Sequence, residues 1–127
     1  MKKVPFDLFE EGQTIYFDIP RIEDLEKGMG MPITTIVSKQ EVGVGFCLTA
    51  LQIGLRHHYR KGNKEFYAAK MGEYFENDGT LGDVITPIIR AIMGSGIFGK
   101  EAIEKIEKNV AENSESESDM EENSKNV

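Results

Sequence analysis

The sequence predicts a mainly α-helical fold, a small bundle of four to five helices with a short N-terminal β-hairpin and a disordered acidic C-terminal tail. Apolar residues recur at helical spacing through most of the chain, and capping residues precede these stretches. From residue 111 to residue 127, six acidic residues and one lysine account for most of the net charge of −7. We therefore expect a helical domain at residues 1–112 and a disordered acidic tail at residues 113–127.

A small β-hairpin is predicted near the N-terminus. Its expected strands are Phe6–Leu8 and Thr14–Asp18, and Gly12 can adopt the positive φ that a tight turn requires. An isolated hairpin is only marginally stable in water, so this one must pack against the helices or against another subunit.

The first predicted helix begins near Pro20 and ends near Gly28. Asp18 can cap its first amides, and proline suits a first helical turn. Pro32, which follows a glycine-rich stretch, is expected to prevent the helix from restarting.

A long central helix is predicted from Ser38 to about Tyr59. Ser38 and Glu41 have the spacing of a capping box, which would begin this helix. Apolar side chains cover most of its circumference, which indicates a helix packed by several neighbours. These apolar residues are Val42, Val44, Phe46, Cys47, Leu48, Leu51, Ile53 and Leu55.

Three more helices are predicted after the central one. Asn63 can cap a helix over Lys64–Asn77, with Tyr67, Met71, Tyr74 and Phe75 pointing inward. A helix over Thr80–Met93 has a capping signature at its start and contains Pro87, which predicts a kink or a late start. The last predicted helix covers Lys100–Glu112.

No combination of residues indicates catalysis or metal binding. Cys47 is the only cysteine, so it cannot form an internal disulfide, and it fits a reducing cytosol. His57 and His58 are adjacent and point apart on a helix, which favours a polar helix end over a metal site. No apolar run is long enough to span a membrane. We therefore predict a protein that is not an enzyme, with no cofactor, metal or small-molecule substrate.

One basic patch, Arg56–Lys64, leaves two alternative functions open. A small regulator could bind nucleic acid through this patch, although the acidity of the chain argues against nucleic acid as its main partner. Alternatively, the chain is an interaction protein whose acidic tail carries the function.

Partner binding is predicted at apolar residues near two glycine-rich joints. Ile97 and Phe98 either pack on their own core or form an exposed patch. Met29, Met31 and Met93 add flexible apolar side chains that suit an adaptable groove. We expect these five residues to bind a helical partner and to support self-association.

Four segments resemble the phage tail assembly chaperone family of long-tailed phages, over residues 5–99. They are Ile19–Gly30 followed by Pro32-Ile33, then Leu48–His58, Tyr74–Gly79 and Ile89–Phe98. They are similar to that family's short helix with Leu-Glu and Gly, its central helix with a His-His element, its helix ending near Gly, and its closing small-Gly-apolar turn.

The resemblance implies a small, helical, non-catalytic protein in the cytoplasm of an infected bacterium. It would bind the tape measure protein, keep it soluble and recruit tail tube protein for polymerisation. Such a protein would be absent from the mature virion. Many members of this family are made in two lengths by ribosomal frameshifting, and this chain would be the short form.

Overall fold

The computed structural model describes residues 1–102, and it is mainly helical with a short antiparallel hairpin. This confirms the predicted fold class. Residues 100–102 are helical, but most of the predicted last helix and the whole predicted tail lie outside the described residues. The elements are β1 (Val4–Pro5), β2 (Thr14–Ile15), α1 (Ile19–Met29), α2 (Ile33–Lys39), α3 (Val44–Gly54), α4 (Lys64–Glu76) and α5 (Leu81–Gly94).

The hairpin is present, but its first strand begins earlier than predicted. Val4 lies opposite Ile15 and Pro5 lies opposite Thr14, so the strand is not Phe6–Leu8. Beyond this short ladder the Phe6 amide still donates to the Gln13 carbonyl at 2.8 Å, and the chain turns near Gly12. Gly12 adopts a φ of 85°, as predicted, and its amide donates to Asp7 Oδ1 at 2.7 Å.

The hairpin packs against the helices, as its small size requires. Both strands contact α5, and the Lys2 amide donates to the Gly94 carbonyl at 3.0 Å. On the other side, the Tyr59 hydroxyl donates to Glu10 Oε2 at 2.9 Å, and Gln13 Nε2 donates to the same oxygen at 2.8 Å. The strands are thus stabilised by contacts with α5 and with the connection between α3 and α4.

The prediction that Pro32 prevents another helix was wrong, because α2 begins directly after it. Pro32 is the N-cap, where its missing amide hydrogen costs no helical hydrogen bond. The carboxylate of Glu26 accepts from the Ile33 amide at 2.8 Å, and so satisfies one of the free amides at the start of α2.

The predicted start of the central helix was also wrong. Ser38 lies in the last turn of α2 and its hydroxyl donates to the Thr35 carbonyl at 3.3 Å, so it caps nothing. The central helix α3 begins at Val44 and ends at Gly54, so the predicted end near Tyr59 was wrong as well. Its central position is confirmed, because α1, α4 and α5 all pack against it.

The predicted caps of the later helices are confirmed. Asn63 accepts from the Phe66 amide at 2.8 Å, and Thr80 and Asp83 form a complete capping box. Helix α5 begins at Leu81 and continues through Pro87, so proline does not delay its start. Phe75, predicted to point inward, is instead 36% exposed.

One continuous apolar core joins the hairpin to the five helices. Its largest fully buried side chains come from β2, from residues close to the two strands, and from or directly after the helices. They are Tyr67, Phe6, Phe17, Phe46, Ile15, Leu25, Ile33, Ile36, Leu51, Leu55, Ile88 and Ile92.

Candidate functional site

The predicted partner-binding residues differ in their exposure. Ile97 is 41% exposed, whereas Phe98 is partly buried and packs against the core. Met29 and Met31 are also partly buried against the core, and Met93 is only 9% exposed. Ile97 is therefore the residue of this set that is most available to a partner.

A small cavity lies between the hairpin turn and α4. Its volume is about 150 Å³, and it is open to solvent. This volume is smaller than that of most small-molecule binding sites, but a cavity of this size can hold one aromatic ring. Its lining residues are Leu8, Phe9, Lys70, Glu73, Tyr74 and Asn77.

The most unusual polar feature is Arg21, which is buried at the start of α1. It is only 5% exposed, and its guanidinium carbon lies 3.7 Å from the centroid of the Tyr16 ring. Nη1 donates to the Gly54 carbonyl at 3.1 Å, and Nη2 donates to the Tyr16 hydroxyl at 2.8 Å. Arg21 thus connects the end of α3 to the chain after β2.

Sequence reasoning did not identify Arg21, although a signal was present. Arg21 is four residues before Leu25, so the two side chains share one face of a helix. Leu25 faces the core, which means that an arginine on the same face must find buried partners. Its neighbour His57 provides one of them.

His57 and His58 join the turn after α3 to β2. His57 Nδ1 lies 3.1 Å from Arg21 Nη1, and His58 Nε2 lies 3.0 Å from the Thr14 amide nitrogen. A guanidinium can only donate, so His57 Nδ1 must accept and carries no proton. This assigns a neutral His57 with its proton on Nε2, in the turn that follows the end of α3.

Aromatic rings contact one another at tilted angles across this region of the surface. The centroids of His57 and His58 are 4.2 Å apart, and those of Tyr16 and His57 are 4.8 Å apart. The ammonium of Lys3 lies 5.6 Å from the Tyr16 centroid. We refer to Lys3, Tyr16, Arg21, His57 and His58 together as the stacked patch.

The environment of the stacked patch disfavours a proton on His57. Burial, the neighbouring His58 and the charge of Arg21 all lower the pKa of His57, and Lys3 acts in the same direction. A hydrogen bond with Thr14 opposes them. Burial is also the main cause that lowers the pKa of Arg21.

We expect acidification to destabilise the fold through His57. Because the pKa of His57 is lowered by folding, its contribution is complete above the ordinary histidine pKa of about 6.5 and is lost as the pH falls below it. The variant His57→Asn keeps an acceptor near Nδ1 but does not titrate. Denaturant unfolding from pH 7.5 to pH 5 should therefore show a shallower loss of stability in the variant. Parallel pH curves for the two proteins would contradict this role of His57.

The predicted basic patch lies next to the stacked patch. Arg56 directly precedes His57 in the sequence and forms an ion pair with Asp24 at 2.9 Å. Arg60 and Lys61 are exposed on the connection between α3 and α4, and Lys64 is exposed at the start of α4.

Two other classes of site receive no support from residues 1–102. None of the helices there has the length and apolar character needed to cross a bilayer. The same stretch contains no cluster of three or more histidine, cysteine, aspartate or glutamate side chains that could hold a metal ion. In comparisons with known proteins, no family model, no curated protein and no solved structure matches this chain.

Proposed function

We propose that this protein is a phage tail assembly chaperone, which binds the tape measure protein and recruits tail tube protein without catalysing a reaction. The observation that carries the proposal is the resemblance of four segments to that family. The helical fold supports it, since all four segments belong to one helical domain.

The first two of these segments contact each other through their distinctive residues. Gly28 lies so close to α3 that a Cβ atom there would be 2.6 Å from Thr49 Cγ2. Arg21 in the first segment bonds the carbonyl of Gly54 and the ring of His57 in the second. These two segments thus meet where α1 packs against α3 and the turn that follows it.

Exposed apolar side chains support binding to a helical client. Val44, Phe75 and Ile97 are all more than one-third exposed. A tape measure protein is a long helical chain, and apolar side chains of this kind can contact the apolar stripe of such a helix. The cavity beside Phe9 is large enough to accept one side chain of a partner.

The proposal predicts that a charge at Ile97 prevents binding of the client. Co-expression with the tape measure protein that this proposal requires should keep that client soluble, and the complex should survive high salt because the contact is apolar. Ile97→Asp should lose the client, whereas Ile19→Asp adds the same charge at an exposed isoleucine on α1 and should retain it. Phe98→Asp is a poorer test because Phe98 packs against the core.

Two results would contradict this proposal, the first its function and the second its contact surface. One is a wild-type protein that stays monomeric and leaves the client insoluble. The other is a client that binds equally well to wild type and to Ile97→Asp, which would exclude Ile97 from the contact surface. Circular dichroism of both aspartate variants verifies that they are folded.

A second candidate function is a nucleic-acid-binding regulator. The observation that favours it is the exposed group of Arg60, Lys61 and Lys64 beside the stacked patch. Phosphate contacts would give retention on a heparin column that falls steeply with salt. A protein that passes through such a column at low salt would exclude this candidate.

A further inference from the structure

We propose that the stacked patch is a binding surface for the chain's own acidic tail. The tail is defined here as residues 111–127, which contain six acidic residues and one lysine. The interaction would be intramolecular and electrostatic, and it goes beyond the proposed chaperone function.

The positive charge of the stacked patch has no ion-pair partner among residues 1–102. Its two cations, Lys3 and Arg21, form no ion pair with a carboxylate in this part of the chain, and Arg56 already pairs with Asp24. Asp18 interacts electrostatically with Arg21, but its carboxylate accepts from the Arg21 backbone amide as the cap of α1. The surface therefore retains an excess of cationic groups.

The geometry of the patch suits an acidic peptide. Lys3, His57 and His58 are exposed, so a carboxylate can reach them directly. Arg21 is buried against the Tyr16 ring, so water screens the charge of its guanidinium poorly. Acidic residues alternate with serines at Glu115, Glu117 and Asp119, so an extended tail would place these three side chains on one side.

The tail is long enough to reach this surface. Twenty-five residues follow Ala102 in the sequence. An extended chain spans about 3.3 Å per residue, whereas a domain of this size has a radius of gyration of about 13 Å. Because the tail is tethered, its effective concentration at the patch is in the millimolar range, so a weak attraction is sufficient for binding.

A spin label in the tail tests the proposal in the full-length protein. Cys47 is buried, and burial raises the pKa of its thiol to about 11, so a nitroxide reagent should react selectively with a cysteine introduced by Ser118→Cys. We expect the label to broaden the backbone amide signals of Lys3, Tyr16, His57 and His58 at low salt. Amides in α2 should keep their intensity. The broadening should disappear at about 1 M salt, where the Debye length is about 3 Å.

Matched charge variants distinguish a specific contact from a general effect of net charge. Glu117→Gln, Asp119→Asn and Glu121→Gln together should abolish the broadening. Glu41→Gln, Glu76→Gln and Asp78→Asn together remove the same charge from exposed positions of the domain and should leave it unchanged.

Three results would overturn the proposal. The first is a label that broadens no amide of the stacked patch in the wild-type background. The second is an equal loss of broadening in both charge variants. The third is broadening of an isotope-labelled copy by the nitroxide of an unlabelled copy, because the tail would then bind a second molecule.

Discussion

Replacing Leu51 by alanine is expected to lower the free energy of unfolding by about 2–5 kcal/mol, the range for buried leucine truncations. Leu51 is fully buried on α3, the helix against which α1, α4 and α5 all pack. The truncation would leave a cavity where several elements meet, and rigid neighbours on many sides cannot all move to fill it. Denaturant unfolding monitored by circular dichroism measures the change.

Val44→Ala provides a matched control on the same helix. Val44 is 52% exposed, so its truncation should change stability by no more than about 0.5 kcal/mol. A cost below about 1 kcal/mol for Leu51→Ala would mean that α3 is not the energetic centre of the fold.

Gly54→Ala is expected to destabilise the protein by about 1–3 kcal/mol through overpacking. A Cβ atom at Gly54 would lie 2.6 Å from Ile15 Cγ1 and 3.1 Å from Phe17 Cε2. Ile15 and Phe17 are fully buried, so neither can move into solvent. The added methyl group would force the hairpin away from α3, and thermal unfolding should detect the loss.

Two further variants separate this clash from the effect of glycine on a helix. Gly45→Ala, also in α3, meets nothing within 4 Å and should be neutral or stabilising by up to about 1 kcal/mol. In an Ile15→Ala background, Gly54→Ala should cost less than in the wild type because the nearest clashing atoms are gone. A cost that is unchanged by Ile15→Ala would show that the clash is not its cause.

Helices were predicted well where a local signal marks their start. Asp18, Asn63 and Thr80 each bond an amide of the helix that follows, and this interaction depends only on nearby residues. The central role of α3 followed from its nearly continuous apolar surface, which no solvent-facing helix could carry.

The incorrect or missing predictions concern contacts between residues that are distant in sequence, or local signals that have more than one interpretation. Helix α2 depends on Glu26, seven residues before Ile33, to bond its first amide. Ser38 and Glu41 have the spacing of a capping box, but residues up to Lys39 already belong to α2. His58 in the stacked patch accepts from the Thr14 amide across 44 residues, and no local pattern specifies such a pairing.

The attachment of the N-terminal strand to α5 has a consequence for synthesis on the ribosome. Val4 and Phe6 are fully buried, and β1 contacts α5, which ends only at Gly94. At translation rates of about 5–20 residues per second, roughly 5–20 s separate the synthesis of β1 from that of the end of α5. The packing of the N-terminal apolar residues against α5 can therefore be completed only after translation has passed α5.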